Sequence, residues 1–376
     1  MDSVKLIRAL ASLCGGGSTF KVDDQVENLK KKIGEHEHYL FILLDGFGNY
    51  FLERNPKLSF LKEKRVQVLR SVFPSTTASA LSSLGTAQYP SKHGAIGWWT
   101  HLTEHNLTSV YLPFRDRIHF KPLHEKQIKP EEMYYEPSFY STLKRRTKCY
   151  VPKYYVNSEF SRYSRADTLG QGYEKFDEAM KYVEDFAFNG EGPSFQYFYF
   201  PQIDSLEHEH GTTHPDVIAL CEEVCTKIKD FSERHAGKIR IVISADHGLI
   251  DIPEENNLLM NDEFPLMSFL KVPPACETRV PMFFLNDLND SQKFVECFNE
   301  YFDEQFVLIS KEDAKKKQLL GDEWDERAWK RVGDFMALPK GPWTLQYHGE
   351  NLQALILKGV HGALSPEETL VPLIII

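Results

Sequence analysis

The chain has 376 residues, 26% of them charged, and a net charge of −10 at pH 7. That balance excludes the broad basic face needed to hold a DNA or RNA duplex or an anionic membrane surface, and no run of about 18 apolar residues exists to span a bilayer. It leaves room for a small anionic substrate, because a bound metal supplies local positive charge, and a chain this long buries a large core without disulfides.

In chain order, the N-terminus carries Lys5 and Arg8, and the apolar stretch after Arg8 runs only from Ala9 to Cys14. It is too short and Ser-interrupted for a secretory leader. It reads as a short helix followed by a Gly-Gly-Gly-Ser joint at 15–18. The six cysteines (Cys14, Cys149, Cys221, Cys225, Cys276 and Cys297) contain no CxxC pair. Cys221 and Cys225 share one face of a helical segment, so reduced thiols and a cytoplasmic location are expected, with a thiolate metal site as the alternative.

Apolar runs at 39–44, 195–200, 239–244, 280–285, 352–357 and 370–376 are rich in Ile, Val, Leu, Phe and Tyr. Such continuous runs fit parallel strands buried on both faces. Helical patterns lie between them at 78–88, 176–186 and 215–234. Alternating strand and helix predicts an α/β sandwich, here one catalytic domain over 1–376. Residues 101–190, rich in Tyr, His, Arg and Pro, and the charged residues of about 256–345 fit the alternation poorly. They read as cap insertions over the sheet.

Five motifs carry chemistry. Leu-Leu-Asp45-Gly-Phe-Gly places a carboxylate directly after a buried strand, where open α/β sheets bind ligands; the alternative is a helix cap. Phe-Pro-Ser-Thr76-Thr77-Ala-Ser-Ala opens a helical run with hydroxyls. They are either caps or a nucleophile set where a helix N-terminus favours a phosphate. Asp204-Ser-Leu-Glu-His208-Glu-His210-Gly211 puts Asp204 and His208 on one helix face, able to chelate one cation, with His210 off that face; an acidic surface loop is the alternative. Ser-Ala-Asp246-His247-Gly248 follows another strand, and His361 lies between Val360 and Gly362. Carboxylate oxygen and imidazole nitrogen both suit zinc, and manganese or iron can substitute. The set is enough for two divalent metals and a nucleophile.

The order and spacing of these motifs resemble the alkaline phosphatase superfamily, within it the type I phosphodiesterase / nucleotide pyrophosphatase branch. The specific points are Asp45-Gly, the Thr run ending Tyr-Pro-x-x-His-Gly, Asp204-x-x-x-His208-x-x-Gly211, Ser-x-Asp246-His247-Gly248 and His361-Gly-x-Leu-Ser-Pro-Glu-Glu-x-x-Val-Pro. The resemblance implies an alkaline-phosphatase-like three-layer fold with a mostly parallel central sheet. It implies one metal held by Asp204, His208 and His361, and another by Asp45, Asp246 and His247 together with Thr77. Thr77 is taken as nucleophile over Thr76 because, in the family pattern, it lies nine residues before Thr86. A two-step in-line displacement follows, with Thr77 transiently esterified by phosphorus.

Three departures stand out. Many relatives carry Asn where this chain has Trp98, so another donor must hold the phosphoryl oxygen, the Thr77 amide or an indole N–H. The usual Thr-Gly reads Thr86-Ala87, and a Gly after His-Gly is Ala363. Trp98 and Trp99 suit stacking of a base or other flat group, with core packing as the alternative. The substrate expected is a small phosphate ester, nucleotide-like, cleaved as a diester or anhydride. The alternatives are a phosphomonoesterase or phosphonate hydrolase on the same core, or a metal-binding scaffold without turnover.

Overall fold

The computed structural model describes residues 1–17, 20–350 and 352–376; Ser18, the end of the expected Gly-Gly-Gly-Ser joint, lies outside them. The expected N-terminal helix spans Ser3–Leu13 and is capped by the Asp2 side chain, which accepts from Lys5 N–H.

The central sheet has the order Arg65–Arg70, Leu370–Ile375, Arg240–Ser244, His38–Leu44, Ser194–Phe200, Arg146–Pro152, Leu169–Tyr173. All residues of His38–Leu44 are buried, so both faces of the sheet are covered, the signature of a three-layer α/β fold. The strand pairs in parallel with both neighbours, in a register that aligns Leu44 with Phe200 and Leu43 with Ser244. The ends of three strands therefore meet at one edge.

The last strand corrects an expectation. Leu370–Ile375 is buried and apolar as read, yet it runs antiparallel to both neighbours. A parallel return needs a crossover of about a dozen residues. Only the short helix Pro366–Thr369 separates this strand from the preceding loop, so the chain turns straight back.

Two further corrections concern the other runs. Residues 352–357 form no strand; the Gln346 side chain binds the N–H and C=O of Leu355 at 3.1 and 3.0 Å instead. The run at 280–285 contributes Pro281–Phe283 to a second, antiparallel sheet, whose order is Phe306–Ser310, Phe335–Pro339, Pro281–Phe283, Ala275–Cys276, Trp99–Leu102, Leu107–Val110, Arg115–Asp116. Segments read as two separate caps thus join into one sheet, through Cys276 paired with Trp99. The later part of 101–190 is no cap, because Arg146–Pro152, Leu169–Tyr173 and the helix Phe176–Phe188 build the central sheet and its covering. Leu169–Tyr173 is an edge strand with Gly170 and Gly172 in it, and glycine erases the apolar signal of a strand.

Candidate active site

The register gathers the expected residues. Asp45 follows His38–Leu44, Asp246 and His247 follow Arg240–Ser244, and Ser194–Phe200 leads into the helix Gln202–His210, which carries Asp204 and His208. Gly46 makes the first turn possible: its φ is +75°, and a Cβ there would lie 2.8 Å from the Glu207 carboxylate.

Thr77 opens the wholly buried helix Thr77–Thr86, behind the extended Thr76. Its hydroxyl stands 3.1 Å from His247 Nε2. The same nitrogen is 3.6 Å from Asp45 Oδ1 and 3.4 Å from Asp246 Oδ2. Across the cluster, Asp204 Oδ2 is 3.3 Å from His208 Nε2, and its Oδ1 is 3.8 Å from His361 Nε2. Among the described residues, two groups bring ligand atoms within 4.8 Å of one another, Asp204/His208/His361 and Asp45/Asp204/His247. Asp204 belongs to both. Asp246 adjoins the second group, with Oδ1 taken by the amides of Gly46 and His247 at 3.2 and 3.0 Å.

The polar bookkeeping fits cations. Asp45 Oδ1, Asp204 Oδ1 and Asp246 Oδ2 are buried without a hydrogen-bond partner, a costly state unless a cation is the partner. Asp45 is pushed well above the usual carboxylate range by burial and then by the Asp246 and Asp204 charges. Burial raises Asp204 as well, against His208 and His247. His361 is held well below the usual imidazole range, by burial and then by His247 and His208. Its Nδ1 faces the Ser75 carbonyl at 3.1 Å, and His208 Nδ1 faces the Gly359 carbonyl at 2.8 Å. A carbonyl only accepts, so each Nδ1 carries the proton and each Nε2 offers its lone pair.

Asp45, Thr77, Asp204, His208 and His361 line a cavity of about 410 Å³, whose walls also include Trp98, Trp99, Leu81, Leu84, Phe160 and Tyr197. Both expected tryptophans therefore face the site, although the Arg117 guanidinium, 4.0 Å from the ring centroid, already covers one face of Trp99. His210 stacks on His214 instead, 4.5 Å between centroids, and enters neither ligand group. Cys221 and Cys225 are buried and free and also stay outside.

The sequence reading missed three side chains here. The Tyr199 hydroxyl donates to Asp45 Oδ2; Tyr199 lies in the apolar run read at 195–200, and only the register, which aligns it with Leu43, brings it beside Asp45. Glu207 is buried under Gly46 with its carboxyl pushed well up by burial and by Asp204. Glu277 lies 8% exposed in the cavity wall. Its Oε1 accepts the Trp98 amide at 2.6 Å, and burial pushes it up to about 7. No strand-end motif marked it.

The family model for type I phosphodiesterase / nucleotide pyrophosphatase matches residues 39–364. No curated protein matches the chain in sequence. Among solved structures it is similar to murine ectonucleotide pyrophosphatase / phosphodiesterase 5, with a TM-score of 0.66 at 13% identity over 89% of this chain and 87% of that one. An inactive variant of the murine protein in complex with AMP gives 0.65 at 14% identity, over 90% and 87% of the two chains. Phosphonoacetate hydrolase from Sinorhizobium meliloti 1021, in complex with phosphonoformate, gives 0.62 at 16% identity over 89% of each chain. Likeness at such identities establishes the alkaline-phosphatase-like fold.

Proposed function

Because this chain belongs to the type I phosphodiesterase / nucleotide pyrophosphatase family, and is thus a hydrolase of phosphorus esters or anhydrides, we propose that it cleaves a nucleotide-like diester or anhydride through a covalent phospho-threonine at Thr77. The observation that carries this reading is the Thr77 hydroxyl at a helix start, 3.1 Å from His247 within a buried Asp/His cluster.

Two divalent cations fit the cluster, zinc by the donor set. Asp204, His208 and His361 would hold one; Asp45, Asp246, His247 and Thr77 would hold the other. When bound, such cations supply Lewis acidity that lowers the pKa of a hydroxyl or water and offsets charge on phosphoryl oxygens.

The chain's own residues do the rest. Thr77 Oγ1 bonds to phosphorus as the bond to the leaving oxygen breaks; water then cleaves the phospho-threonine and restores the hydroxyl. The Thr77 N–H, first in its helix, has no intrahelical acceptor and is the donor for a phosphoryl oxygen. Tyr199 fixes the Asp45 carboxylate, and the Gly359 and Ser75 carbonyls fix the two imidazoles. Trp98 and Trp99 flank the substrate's flat part in this reading. A cytoplasmic location is proposed with it, supported by six free cysteines.

The test compares bis(p-nitrophenyl) phosphate with p-nitrophenyl phosphate, with Thr77→Ala as control. A diester preference abolished in the variant supports the reading, and a monoester preference moves the protein to the phosphatases. Activity surviving Thr77→Ala but not Thr76→Ala would move the nucleophile by one residue. The likeness to phosphonoacetate hydrolase favours a second reading, phosphonate cleavage, which phosphate release from phosphonoacetate would reveal.

A further inference from the structure

We propose that Glu277 is a specificity-determining residue, whose carboxylate in the wall of the Thr77 cavity disfavours a phosphomonoester dianion relative to a phosphodiester monoanion. The proposal deepens the diesterase reading above and rests on it for the identity of the substrate.

Glu277 is placed with little freedom. It opens the tight turn between Ala275–Cys276 and Pro281–Phe283, closed by the Val280 amide on the Glu277 carbonyl at 3.2 Å. Cys276, just before it, has φ +75°, a conformation costly for a residue with a side chain and concentrated at functional sites. Two glycines let the turn dock. A Cβ at Gly97 would lie 2.8 Å from the Cys276 Cα, and one at Gly362 would lie 3.1 Å from the Glu277 Cβ. The carboxyl thus arrives beside both the Trp98 loop and the loop of His361.

Its charge is offset only in part, by Thr76, the Trp98 amide, His208 and Arg117, against the larger effect of burial. Arg279, two residues on, is committed to Glu368 at 2.8 Å. Arg117 donates to the Pro274 carbonyl and lies over Trp99. The nearest donor, the Trp98 amide, is engaged by Glu277 Oε1 and so is not offered to a phosphoryl oxygen. This wall therefore presents acceptor oxygen and negative charge to whatever occupies the cavity with Thr77 and His208. A monoester dianion carries one more negative charge than a diester and meets more repulsion in a site screened from water. Discrimination by repulsion costs the preferred substrate little.

The experiment uses the full metal-loaded chain with Glu277→Gln and Glu277→Asp, at pH 8.5, above the value of about 7 to which burial pushes the carboxyl. It reads kcat/KM on bis(p-nitrophenyl) phosphate and p-nitrophenyl phosphate, and calorimetric binding of inorganic phosphate. We expect Glu277→Gln to lower the diester-to-monoester ratio by about 10-fold or more, mainly by raising monoester turnover, and to tighten phosphate binding. Glu277→Asp keeps the charge and should stay within about 3-fold of the parent. An unchanged ratio and phosphate affinity in Glu277→Gln, or an equal shift in both variants, overturns the proposal. A parent that prefers the monoester instead overturns the diesterase reading, while phosphate binding still judges Glu277.

Discussion

The two sheets reach one cavity by different routes. The central sheet delivers Asp45, Asp246 and His247 within three residues of strand ends, held by a continuous register in strands buried almost throughout. The second sheet delivers Trp98, Trp99 and Glu277 through strands as short as Ala275–Cys276, joined to Trp99–Leu102 by one bridge, Cys276 to Trp99. Its turn is pinned by Arg279 on Glu368, whose carboxylate also accepts the Ala363 amide at 2.8 Å. The first route fixes reacting groups by local sequence. The second fixes a wall by long-range pairing, so its residues can change without moving the cluster.

Breaking the central-sheet side should have the largest effect. Thr77→Ala is expected to lower kcat by at least ~10³-fold with the melting temperature and most of the bound metal retained; steady-state kinetics and elemental analysis check this. Asp246→Asn or His361→Ala should weaken metal binding by more than the about 10–100-fold typical of an outer-shell change, read by competition with a chromogenic chelator. On the other side, Arg279→Ala leaves Glu368 buried and unpaired (side chains 2% and 0% exposed) and should cost about 3–5 kcal/mol in denaturant unfolding.

A pH series sharpens the contrast. Burial, and then the Asp246 charge, raise Asp45 and Asp204 in the folded chain, so without metal the folded state binds their protons more tightly than the unfolded state. Stability of chelator-treated protein should then fall as pH rises from about 4 toward the raised folded values. The slope is about 1.4 kcal/mol per pH unit for each carboxyl still protonated in the folded chain and ionised in the unfolded one. Metal-loaded protein should lack that slope, as thermal unfolding at pH 5 and pH 8 would show. The smallest effect concerns Ala87, whose φ of +57° suits glycine. Ala87→Gly relieves about 1–2 kcal/mol of Cβ strain against about 0.4–1 kcal/mol of added unfolded-chain freedom. The expected gain is at most about 1.6 kcal/mol in the same unfolding assay.

What could be read from sequence follows the same division. Asp45, Asp246 and His247 were legible because each directly follows a strand whose whole apolar run is buried. Asp204 and His208 were legible from their spacing on one helix. The structure brings these residues, Thr77 and His361 together. The second sheet was not legible, because its strands are short and pair residues as far apart as Trp99 and Cys276. Arg146–Pro152 escaped notice for another reason: Arg146, Thr147 and Lys148 interrupt its apolar run. Glu277 owes its place to the Cys276 backbone and to Gly97 and Gly362, none of which announces a carboxylate's role.

Asp204 has one oxygen 3.3 Å from His208 and the other 3.8 Å from His361, and it stands in both ligand groups. An ion drawn to either group changes the charge that the other group meets at this carboxylate, so neither could be loaded without altering the other's affinity, and by the same factor in each direction. A zinc titration of this protein should then depart from two independent, superposed isotherms, and Asp204→Asn should flatten that departure before it abolishes binding.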